Sequence, residues 1–296
     1  MSSLSYAAPT SVDEAVRLLA GASGLAKVLA GGTDLLVQLR SGRLTPDLIV
    51  DTKKIPGLID IREENGGFVI GGATPGAVVE AHAGLNAAWP GVVEALDLIG
   101  STQVQGRCSL AGNLCNASPA ADSVPALYAA AATAVVVGPN GRREVKVEDI
   151  PVGPGRTSLA RDEFILEFRL PPRPARSGDA YLRFIPRTEM DIAVVGCGVS
   201  VTLDANGICT AARVALGAVA PTVLLVQPAA EVLVGNRLDA GTLAKLDAAA
   251  QAAAKPISDK RGTVEYRTKV AGVLARRTAA IAFDRAAGNK TNGKAH

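Results

Sequence analysis

Leu29-Ala30-Gly31-Gly32-Thr33-Asp34-Leu35 decides how this chain is read. The apolar run Lys27-Val28-Leu29-Ala30 reads as a short buried strand that enters paired glycines. Thr33 or Asp34 then caps a second helix, Leu35 to about Arg40. Paired glycines reach positive φ and let another molecule approach the main chain closely. Free N–H groups at the start of the following helix attract anions, phosphate above all. One exposed helix end is worth only about 0.3–1 kcal/mol to an anion. Taken alone, the stretch is better explained as a plain strand-to-helix turn.

A second stretch runs Gly106-Arg107-Cys108-Ser109-Leu110-Ala111-Gly112-Asn113-Leu114-Cys115-Asn116-Ala117-Ser118-Pro119-Ala120-Ala121-Asp122. Residues 100–122 read as a long non-periodic loop, too apolar to float free and long enough to be functional. Its N–H and O–H donors suit phosphate oxygens, and its one carboxylate suits sugar hydroxyls. A packed loop with internally satisfied side chains explains it equally well.

Around these bends the chain alternates helix and strand. Ser11-Val12-Asp13-Glu14 is a capping box that opens a helix carrying Ala15, Val16, Leu18 and Leu19 on its apolar side. Leu48–Asp51 and Phe68–Ile70 read as strands, Pro75–Ala83, Pro90–Ile99 and Ala126–Ala132 as helices. Ala134–Gly138 and Glu144–Val147 form a hairpin about Asn140-Gly141, and Glu163–Leu170 is a further strand. Pro171-Pro172-Arg173-Pro174 is the clearest boundary. Beyond it come a strand pair, Ala193–Leu203 and Ile208–Leu216, and two helices, Thr242–Ala254 and Thr263–Ala282.

Composition narrows the function. The 296 residues are 48% hydrophobic, which excludes a disordered chain, and suffice for about two domains. A net charge of +3 and 3% aromatic residues argue against nucleic acid. Four cysteines without a C-x-x-C pair, and two histidines of which His296 is terminal, supply no metal site. Neither a signal peptide nor a membrane span is expected, so the protein is expected in the cytoplasm with reduced thiols. Cys108 and Cys115 are read as packing residues, His82 as structural. The basic residues Arg261, Arg267, Lys269, Arg276 and Arg277 are read as a solvated face. Neither a Rossmann fingerprint nor a P-loop is present, since Gly196-Cys197-Gly198-Val199-Ser200-Val201 lacks the third glycine.

A-G-G-T-D-L (Ala30–Leu35) together with S-L-A-G-N-x-x-x-A-S-P-x-x-D (Ser109–Asp122) resembles the FAD-binding medium subunit of the xanthine dehydrogenase and carbon monoxide dehydrogenase family of molybdenum hydroxylases. Tyr6, Pro9 and the Ser11–Glu14 box resemble the family's opening. Arg187–Ala193 resembles its R-x-x-x-D-I-A stretch, and Pro256–Arg261 with Tyr266-Arg267 its C-terminal pattern.

The resemblance implies an α+β fold: an FAD-binding domain of the vanillyl-alcohol-oxidase (PCMH) type made of two α/β subdomains, residues 1–57 and 58–174. A C-terminal α+β domain, a small antiparallel sheet with helices, spans 175–288, and 289–296 form a disordered tail. It implies FAD contacts from Val28, Leu29, Ala30, Gly31, Gly32, Thr33, Asp34 and Leu35, with Lys27 and Thr74 as neighbours. The second bend, Ser109, Ala111, Gly112 and Asn113, would meet the same cofactor, and Asp122 would accept from a sugar hydroxyl. Ile99 would sit against the flavin, and Ile165 and Arg183 match further contact positions.

The same resemblance implies partners: a large molybdopterin-binding subunit and a small subunit with two [2Fe–2S] clusters, paired into a dimer of heterotrimers. Electrons would pass from the clusters through FAD to an external acceptor, with no side chain acting as nucleophile. Alternatives are a stand-alone FAD-dependent reductase on the same fold, or a flavin-free assembly module. Ala111 stands where the family has glycine, and would cost about 1 kcal/mol if that position had positive φ.

Overall fold

A computed structural model describes residues 4–187 and 190–289. The chain opens with β1 (Ser5–Ala7), α1 (Val12–Ala20), β2 (Ala26–Leu29), α2 (Leu35–Arg40) and β3 (Leu48–Asp51). All three strands are parallel, in the order β1-β3-β2. Ser11 caps α1 by accepting the Glu14 N–H, but the Glu14 carboxylate accepts from Thr10 N–H, one residue earlier than a capping box requires. Ala15 and Leu19 face the core, while α2 buries none of its residues.

The second unit comprises β4 (Ile61–Glu64), β5 (Gly67–Gly71), α3 (Gly76–Ala81), α4 (Ala83–Ala88), α5 (Pro90–Asp97), α6 (Thr102–Gln105), α7 (Leu110–Cys115) and α8 (Ser123–Ala129). Its later strands are β6 (Thr133–Gly138), β7 (Gly141–Lys146), β8 (Pro151–Gly153), β9 (Arg156–Thr157) and β10 (Phe164–Leu170). Five of them form an antiparallel sheet, β4-β5-β10-β6-β7, with β10 at its centre, while β8 and β9 pair separately. Phe168 of β10 packs with Phe68, Ile70, Val136, Leu114 and Leu127 in one core. Residues 100–122 are therefore not one irregular loop. They hold α6 and α7, which at four and six residues are too short to print a helical period.

The third unit is a meander of β11 (Ser177–Phe184), β12 (Val195–Leu203), β13 (Cys209–Gly217) and β14 (Leu224–Leu225), followed by α9 (Gln227–Leu233), α10 (Ala240–Ala253) and α11 (Val264–Ala286). Its sheet lies between α11 and α8. A Cβ on Gly178 would stand 1.9 Å from Ala282 O, and one on Gly198, on the opposite face, 2.5 Å from Pro125 O. α8 thus belongs by sequence to the second unit and by packing to both.

Charge closes the same seam. Arg285 pairs with Glu94 of α5 and donates to Asp179 O (2.7 Å), and Asp179 accepts the Gly91 N–H (2.9 Å). Arg267 corrects the expected solvated face: it is 4% exposed, donates to Val194 O (3.0 Å) and pairs with Asp259. Arg276 pairs with Asp247 at 2.7 Å. His82 caps α4 by accepting the Leu85 N–H (3.1 Å) and stands edge-on to Phe68.

Among the described residues no helix is long and apolar enough to cross a membrane. The tail read as disordered lies, from residue 290 onward, outside the described residues, as do Thr188 and Glu189 of the R-x-x-x-D-I-A stretch. Phe168 is fully buried at the centre of the sheet. Phe168→Ala is therefore expected to lower the unfolding free energy by about 3–5 kcal/mol in a denaturant titration. A change below 1 kcal/mol (roughly the Ile-to-Val scale) would contradict that packing.

Candidate functional site

The two glycine-bearing bends, some seventy-five residues apart in the chain, are in backbone contact. A Cβ on Gly31 would lie 2.1 Å from Arg107 O and 3.1 Å from Cys108 Cα, so only glycine fits. Gly32 turns the chain at φ +86°. The second bend is tied down in turn: Gly76 N–H donates to Cys108 O (2.8 Å), and Ser109 Oγ accepts the Gly112 N–H and so caps α7. Asp34 stands at the head of α2 but makes no side-chain cap there.

Between the bends lies a cavity of about 320 Å³. Lys27, Val28, Ala30, Gly31, Gly32, Thr33, Asp34 and Leu35 line one side, and Ser109, Ala111 and Gly112 another. Ile165 completes the wall from a bulge in β10, close enough to Gly72 that a Cβ there would meet Ile165 O at 2.5 Å. Ala111 is the second residue of α7, so right-handed helical backbone replaces the positive φ considered for it and no strain follows.

Other expected positions lie elsewhere. Leu29 is buried beneath Gly32, and Asn113 accepts from the Ser123 N–H and O–H at the start of α8. Thr74 donates to Asp60 O, and Ile99 packs on the core of the second unit. Asp122 and Arg183 meet at the seam. Tyr181 O–H donates to one oxygen of Asp122 and Arg183 Nη1 to the other, both at 2.8 Å. Arg183 Nε, although its side chain is only 5% exposed, has no hydrogen-bond partner among the described residues.

Some of the wall escaped sequence reasoning. Gln38 of α2 lines the cavity and donates to Asn116 Oδ1 across it (3.1 Å). Thr157, Leu159, Ala160 and Arg161 close it from the segment before β10, which carries no glycine turn or anion signal. Cys115 also opens on the cavity and is exposed. Burial raises Cys108 to about 11, so that thiol is no ready nucleophile.

This geometry fits a dinucleotide. The main chain of Gly31, without a side chain, meets that of the second bend beside the cavity, as a diphosphate needs. Residues 2–173 match the family described as the FAD binding domain in molybdopterin dehydrogenase, and residues 180–282 the CO dehydrogenase flavoprotein C-terminal domain. The carbon monoxide dehydrogenase medium chain of Afipia carboxidovorans is 35% identical, covering 96% of this chain and 98% of its own. The xanthine dehydrogenase FAD-binding subunit of Escherichia coli O157:H7 is 30% identical, with 96% and 97% covered. The carbon monoxide dehydrogenase structure from Hydrogenophaga pseudoflava that lacks the Mo-pyranopterin moiety superposes with a TM-score of 0.91 at 34% identity, covering 95% of this chain and 98% of that one.

Fold and site thus define a flavin-binding oxidoreductase subunit. The chain belongs to the family of FAD-binding subunits of molybdopterin dehydrogenases, the molybdenum hydroxylases.

Asp122 gives the seam a pH signature. Burial pushes its carboxyl up to about 6, against the pull of Arg183 and Tyr181. The folded chain then holds this proton more tightly than the unfolded chain. Asp122 adds stability that is complete below pH 3.8 and is lost as pH rises through about 6. Asp122→Asn, neutral at every pH, is expected to flatten the thermal midpoint across that interval. An equally steep pH dependence in variant and wild type would contradict the assignment.

Proposed function

We propose that the bends Gly31–Asp34 and Ser109–Asn113 hold the diphosphate of FAD, and that this chain passes electrons from partner [2Fe–2S] clusters to an external acceptor. The observation that carries this is the backbone contact of Gly31 with Arg107, beside a cavity walled by both bends. N–H groups along these bends are suited to bind diphosphate oxygens, while Val28, Ile165 and Leu159 exclude water from the apolar parts of the cofactor. Arg183 is proposed to donate through its unpartnered Nε, with Asp122 and Tyr181 fixing the guanidinium plane. When bound, FAD supplies reversible electron uptake and release; the protein supplies binding and orientation.

The partners in this proposal are a large molybdopterin-binding subunit and a small two-cluster iron–sulfur subunit, assembled as a dimer of heterotrimers in the cytoplasm. Relatives named as medium chains or subunits of such dehydrogenases support it. The units 1–57, 58–174 and 175–288 are taken as two FAD-binding subdomains and a C-terminal domain. A flavin-free module had Ala111 in its favour, and the helical backbone of Ala111 removes that motive.

The purified full chain is expected to show flavin absorbance or to acquire it on titration with FAD. Gly31→Ala is expected to abolish uptake while the far-ultraviolet circular dichroism stays unchanged. Failure of the wild-type chain to take up FAD would contradict the proposal.

A further inference from the structure

The first bend is gripped by two consecutive side chains. Thr52 Oγ1 donates to Leu29 O (3.4 Å), and Lys53 Nζ donates to Ala30 O (3.0 Å). Lys53 is held in its turn. Asp51 Oδ1 lies 2.7 Å from its ammonium and accepts its backbone N–H (3.1 Å), while Asp51 Oδ2 accepts the Tyr6 O–H (2.7 Å). Burial works against ionisation of Asp51, yet the bonds from Lys53 and Tyr6 outweigh it and keep the carboxyl below the ordinary range. The line Tyr6–Asp51–Lys53 thus ends on the carbonyl that precedes Gly31.

In a trans peptide the C=O and the N–H point to opposite sides. Anchoring Ala30 O on Lys53 therefore turns the Gly31 N–H away from Lys53, and anchoring Leu29 O on Thr52 sets the Ala30 N–H in the same way. Glycine imposes little preference of its own, so the Ala30–Gly31 plane takes its orientation from this bond and from the packing of Gly31 on Arg107. We infer that Lys53, backed by Asp51 and Tyr6, is a positioning residue for the cofactor: it fixes the orientation of the Gly31 amide that meets the FAD diphosphate. This rests on the diphosphate assignment above.

The test is a titration of the flavin-free full chain with FAD, read by quenching of flavin fluorescence, for the wild type and four variants. Lys53→Met keeps the apolar stem but removes donor and charge, and is expected to weaken FAD binding about tenfold or more. Asp51→Asn/Lys53→Met avoids leaving a lone buried carboxylate and is expected to weaken it as much. Lys53→Arg restores a charged donor and should bind within about threefold of wild type, and Lys54→Met, on the exposed neighbour, should bind as wild type does. Binding by Lys53→Met or the double variant within twofold of wild type would overturn the inference. So would equal weakening by Lys53→Arg and Lys53→Met. A wild-type chain that takes up no FAD would instead overturn the diphosphate assignment itself, and the inference with it.

Discussion

The rest of the structure depends on a close approach of backbone to backbone. Gly31 can meet Arg107 only because neither a side chain nor a Cβ stands between them, and residues of both bends line the cavity beside that contact. Each bend is anchored by its own unit. β2 and the residues after β3 hold the first; α3 and the Ser109 cap hold the second. The contact between the bends adds to the buried apolar core of Leu19 and Val50 with Val135 and Phe164, which packs the parallel three-stranded unit on the antiparallel five-stranded one.

A second constraint works at the far end. The C-terminal sheet wraps α8, and its inward face brings Tyr181 and Arg183 to Asp122, 59 and 61 residues away in sequence. Removing charges from water is costly, and such a buried pair is retained with a net benefit only where its geometry and bonds are good. Here Asp122 accepts two, leaving one guanidinium nitrogen available. The seam between the domains is thus held by residues outside the cavity that the two bends line.

What was legible in the sequence was local. Ser11 announced α1, Asn140-Gly141 announced the β6–β7 hairpin, and Gly31-Gly32 after an apolar run marked the first bend. The two bends became informative only as a pair, through the family resemblance. Other features have no local signature. α6 and α7 are too short for periodicity, β11 is broken up in sequence by Gly178 and Asp179, and α9 is only seven residues long. Arg267 looks like a surface charge until Val194, Ala218 and Asp259 close around it. Likewise, the wall from Thr157 to Arg161 and the Gln38–Asn116 bond arise only when separate segments meet.

The central claim is that both bends close on one diphosphate. The most direct measurement is an experimental structure of the full chain saturated with FAD. The account predicts density for the diphosphate between residues 31–34 and 109–113, within hydrogen-bond distance of main-chain N–H groups from both. A diphosphate contacting only one bend, or FAD lying outside the cavity altogether, would contradict it.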